Sequence, residues 1–168
     1  MEDETTKTLR KLNRERIHSI WELAKNGNLD ILTGEERRYA EVMLEHEEEY
    51  FNQFEMADLT YNYQHDPDTE ENPFLHIALH VVVENQLEAR QPTEVYQFYD
   101  SMRKRKCSHH DTIHLIAALL APLIVIALQR NGAPDVELYR SLLRKYKGKK
   151  PEKIWALMDK DLDPLLQK

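Results

Sequence analysis

From Leu115 to Leu128 the chain reads LIAALLAPLIVIAL, a run with no polar side chain. A membrane span needs about 20 such residues, and this run is shorter and carries Pro122. It reads as a helix buried on all sides, and such a helix needs other helices around it. The rest of the chain is suited to supply them, with strong helix formers throughout and only four glycines in 168 residues. The expected fold is all-α, a single-domain helical bundle of about six helices over residues 1–168. Its core spans about 5–147, and a short C-terminal helix follows at about 151–160.

The helix ends are legible. Helix 1 is expected over about 5–25, with Leu9, Leu12, Ile20, Leu23 and Ala24 as its apolar stripe and Gly27 past its end. In "LTGEE" (32–36), Thr33 and Glu36 have capping-box spacing, so a second helix opens there and can run to about residue 57. The acidic "YNYQHDPDTEEN" (61–72) lacks periodicity and reads as a loop. Asn72 and Pro73 cap a helix to about Arg90, since an Asx side chain accepts from free amides and proline forfeits nothing at the first position. Another helix is expected over about 94–105. Ser108 with Asp111 opens the long apolar helix, which Pro122 should kink or break. Pro134 and Asp135 open a helix that Gly148 ends.

Two of the most apolar segments carry histidines one helical turn apart: His76 and His80 in "NPFLHIALH", His110 and His114 in "SHHDTIH". Residues four apart lie about 40° from each other on a helix. Each pair therefore looks along a core-facing surface, continued by Val83 and Leu87 in one case and by Ala117 and Ala121 in the other. An out-and-back connection through the intervening helix brings both pairs to the same end of the bundle. Converging imidazoles in a bundle interior make a metal site, and nitrogen ligands suit zinc or iron better than magnesium or calcium. The candidate ligands are His76, His80, His110 and His114, with Glu84 one turn beyond His80, and His46 and Glu49 from "EHEEEY" (45–50), where Tyr50 stands beside them. His109 should face about 100° away from His110, and His18 and His65 have no partner at helical spacing and read as surface residues.

The segments "NPFLHIALH", "HHDTIH" and "ALQRNGAPD", together with Trp21, "LTGEE" and "EHEEEY", resemble a bacterial family known as domain-of-unknown-function family 1841. The resemblance covers most of residues 20–146, and NPFLH followed by a histidine four residues later is its most specific part. It implies a helical fold and the grouping of the histidines, and it brings no established activity. In the family pattern a proline and a second histidine follow His46, where this chain has Glu47.

The formal charge of −7 disfavours a general nucleic-acid binder. One cysteine, Cys107, forms no internal disulfide and fits a reducing compartment. With the charged start "MEDETTKTLRK", these features point to a cytoplasmic protein without membrane association. Two basic runs, "RKRK" (103–106) and "RKYKGKKPEK" (144–153), are solvated helix ends or a local site for RNA or an acidic protein. The acidic carboxylates of the 61–71 loop, Asp66, Asp68, Glu70 and Glu71, are expected to cover the mouth of the histidine site and draw cations to it. Two readings stand side by side. One is a metal-binding bundle with hydrolytic or oxygen- or peroxide-binding chemistry. The other is a non-enzymatic module that binds protein partners through acidic helix 2 or the basic C-terminal region, its histidines forming a structural polar cluster.

Overall fold

The computed structural model describes residues 4–66 and 69–166. Among these there is no strand, and eight α-helices and one 3-10 turn follow in order. They are α1 (Glu4–Lys25), the turn Leu29–Ile31, α2 (Gly34–Glu45), α3 (Glu47–Glu55), α4 (Pro73–Ala89), α5 (Thr93–Lys104), α6 (His109–Gln129), α7 (Val136–Tyr146) and α8 (Pro151–Leu166). Packing divides the chain into two compact units, Met1–Val81 and Val82–Lys168.

In unit 1, α1 packs on α2 and α3. Its buried face is Arg14, Ile17, Ile20, Trp21 and Ala24, while Leu9 and Leu12 of the expected stripe lie in solvent. The helix turns a different arc inward because Trp21 is the largest apolar group available to the core. Its ring meets Phe51 and Phe54 at centroid distances of 5.7 and 5.3 Å, and its Nε1 donates to Glu55 at 2.7 Å. Arg14 takes a buried position by laying its guanidinium 3.2 Å over the ring of Phe74.

The expected second helix is two helices, broken at His46 (φ −109°, ψ 15°). Glu41, Glu45 and Glu49 follow one another at four-residue intervals, where like charges oppose a straight helix. At the break the His46 ring donates from Nδ1 to the Val42 carbonyl at 2.8 Å. Thr33 occupies the N-cap of α2 but makes no side-chain cap bond, and Glu36 pairs instead with Arg16 at 3.3 Å.

In unit 2, α6 packs against α5, α7 and α8, but it is not enclosed on all sides as expected: His114, Ala118, Ala121 and Val125 on one face are half-buried and Leu128 is exposed. By length and composition alone α6 can also cross a membrane, and half of its most apolar window is buried within the protein. It continues through Pro122 without a break. The burial of Leu119, Leu120, Leu123 and Ala127 offsets a proline cost of about 3 kcal/mol. Ser108 caps α6 as expected, accepting from the Asp111 amide at 3.0 Å. Asp135 caps α7, accepting from the Leu138 amide at 2.9 Å. The last helix is longer than expected. Ile154, Met158 and Leu162 extend one buried stripe past residue 160, and Asp161 takes hydrogen bonds from Tyr146 and Lys145.

Candidate metal centre

Unit 1 gathers three imidazoles. His46 stands at the joint between α2 and α3, and His76 and His80 lie one turn apart on α4, whose start is fixed by Asn72 accepting from the amides of Phe74 and Leu75. The three ring centroids form a triangle with sides of 4.8, 4.6 and 4.7 Å. His46 and His80 are almost wholly buried, and the side chain of His76 is 16% exposed.

Hydrogen-bond partners fix two of the tautomers. A carbonyl only accepts, so His46 carries its proton on Nδ1 toward Val42 O. A carboxylate also only accepts, so His76 donates from Nδ1 to Glu71 Oε1 at 2.6 Å. In the neutral rings both Nε2 atoms then hold lone pairs, and these two nitrogens face each other at 3.1 Å. At that distance the two nitrogens share a proton, one donating to the other, or a metal ion. Ligands about 2.0–2.1 Å from one zinc ion stand about 2.9–3.4 Å apart at angles between 90° and tetrahedral. The observed separation fits that edge.

The carboxylate behind His76 has a second partner, for the Tyr50 hydroxyl donates to Glu71 Oε2 at 2.5 Å. Burial comes first, and the Glu71 bond second, in holding the Tyr50 phenol protonated far above its ordinary range. Tyr50, Glu71, His76 and His46 therefore form one hydrogen-bonded line. Tyr50 stands four residues after His46, a spacing visible in the sequence. Glu71 has no helical spacing to His76; from the sequence it is expected only as one of the loop carboxylates at the mouth of the site, and the chain's return to α4 brings it into direct contact with His76.

Unit 2 holds the second pair. His110 and His114 are half-buried in the first two turns of α6, with ring centroids 4.3 Å apart. His109 faces elsewhere as expected, with Nε2 donating to Glu84 at 2.7 Å and Nδ1 accepting from the Tyr99 hydroxyl at 2.8 Å.

Other candidates have different surroundings. Glu49 is exposed on α3, whereas Tyr50 beside it is buried. Glu84 is engaged by His109. In the 61–71 loop Glu70 is committed to Tyr63 and the Asp66 amide, and Asp68 lies outside the described residues. His18 and His65 are not plain surface residues. His18 is half-buried, with Nδ1 3.3 Å from Phe54 O, and the side chain of His65 is 9% exposed between Tyr63 and Phe74.

These features define a class, an all-α protein with histidines at a helix joint and in the first turns of helices, of which His46 and His76 are oriented by a carbonyl and a carboxylate. The chain belongs to the family described as domain of unknown function (DUF1841), which it matches over residues 9–145. No curated protein and no solved structure matches it.

Proposed function

We propose that the protein binds one divalent transition-metal ion, zinc or iron, through His46, His76 and His80 of unit 1. The observation that carries this reading is the convergence of three imidazoles in unit 1, with the Nε2 atoms of His46 and His76 3.1 Å apart. The imidazole ligand set supports zinc or iron over oxygen-preferring cations. The carboxylate behind His76 supports it again, because ligating histidines are commonly oriented by such a partner. With zinc, an open coordination position activates water for hydrolysis. With iron, the same position binds oxygen or peroxide.

A metal-free reading is favoured by the same line of Tyr50, Glu71, His76 and His46, in which a proton shared between the two Nε2 atoms replaces the ion. Metal analysis of untagged protein separates the two. The metal reading expects close to one equivalent of zinc or iron as purified or after reconstitution, and a melting temperature lowered by chelation. Less than about 0.1 equivalent after reconstitution, with no response to chelator, overturns it.

A further inference from the structure

The two basic runs, about 40 residues apart in sequence, meet within unit 2. Arg105 donates from one guanidinium nitrogen to the Ser101 carbonyl at 3.0 Å and from the other to the Gly148 carbonyl at 3.3 Å. Ser101 in turn donates to the Lys147 carbonyl at 2.8 Å. Arg105 also lines a cavity of about 440 Å³, together with Lys106, Cys107 and Ser108 of the same turn, Asp111 and His114 of α6, and Pro151, Glu152 and Trp155 of α8. The volume is that of a small-molecule site.

The lining combines three kinds of group. Trp155 is a large aromatic side chain left 46% exposed at the wall of a cavity, which is the setting of a stacking platform. Arg105 and Lys106 supply positive charge at the wall, just before the first turn of α6, an arrangement suited to phosphate. Asp111 and Glu152 add acceptors that can meet the N–H groups of a planar heterocycle. A planar body that offers N–H donors and carries an anionic group satisfies all three.

We propose that this cavity binds a nucleoside monophosphate, its base on Trp155 and its phosphate at Lys106. The inference requires no ion and stands apart from the metal proposal, although His114 lines the same cavity. Calorimetric titration of the full chain with adenosine 5′-monophosphate tests it, with adenosine and inorganic phosphate titrated separately. One saturable site is expected for the monophosphate, at least about tenfold tighter than for either fragment. Trp155→Ala and Lys106→Gln should each weaken it about tenfold at an unchanged melting temperature, and Trp155→Phe should restore most of the loss. Three results overturn the inference: no saturable binding up to about 1 mM, equal binding by wild type and both variants, or binding of a short single-stranded RNA without binding of the monophosphate.

Discussion

Glu71 shows how much one side chain can do for a histidine site. Its two oxygens take hydrogen bonds from His76 and Tyr50, so it sets the His76 tautomer while being held in place itself. Glu71→Gln keeps the shape and removes the charge. Outer partners of this kind are worth about 10–100-fold in metal affinity, and a loss in that range is expected from competition with a chromophoric chelator. Tyr50→Phe removes only the outermost bond and should cost less. Unchanged affinity in both variants would show that the network does not support an ion. Arg14 makes a different point at this scale. Burial, and secondarily the nearby charge of Arg10, bring its guanidinium down to about 10, so it remains charged at neutral pH beneath the Phe74 ring. Its place in the buried stripe was not legible from hydropathy, because the face it shares with Trp21 is chosen by packing.

At the scale of helices, cap positions were read correctly more often than cap bonds. Asp135 and Thr33 both precede helices with extended backbone, but only Asp135 accepts an amide hydrogen bond. Asp135→Ala should therefore cost about 1 kcal/mol in urea unfolding, and Thr33→Ala only a few tenths. A substantially larger loss at Thr33 would contradict the observed cap geometry. Between helices, α5 is clamped to α7 by Glu94, whose carboxylate takes bonds from Arg140 at 3.1 Å and Arg144 at 2.7 Å. The Arg140 hydrogen bond, first among several favourable interactions, holds the Glu94 carboxyl below its usual range. The sign follows from linkage. A depressed folded-state pKa contributes stability above the unfolded value of about 4.3, and that stability is lost as pH falls through the folded value. Because both arginines are more than a third exposed, screening limits the effect, and Glu94→Gln should cost about 1–2 kcal/mol at pH 7. The gap between variant and wild type should close below about pH 4 in denaturant titrations. A gap independent of pH would assign the loss to packing.

Over the whole molecule, His46, His76 and His80 belong to unit 1 and His110 and His114 to unit 2. Under the proposal, His46→Ala should abolish most of the chelator-sensitive part of the melting temperature. A full increment retained in His46→Ala would exclude the ion from the histidines of unit 1. The sequence by itself determined the helical class, most helix boundaries and the two histidine pairs, because these depend on residues within one or two turns of each other. Asn72, Ser108 and Asp135 act on amides two or three positions away, and residues four apart share a helix face wherever that helix goes. Tertiary structure decided which face of α1 is buried, whether α6 survives Pro122, and which groups stand behind the histidines. The break at His46 brings its ring to His76, thirty residues on, and the loop's return brings Glu71 to the same histidine. Such contacts depend on the summed packing of whole helices, and no local spacing encodes that sum.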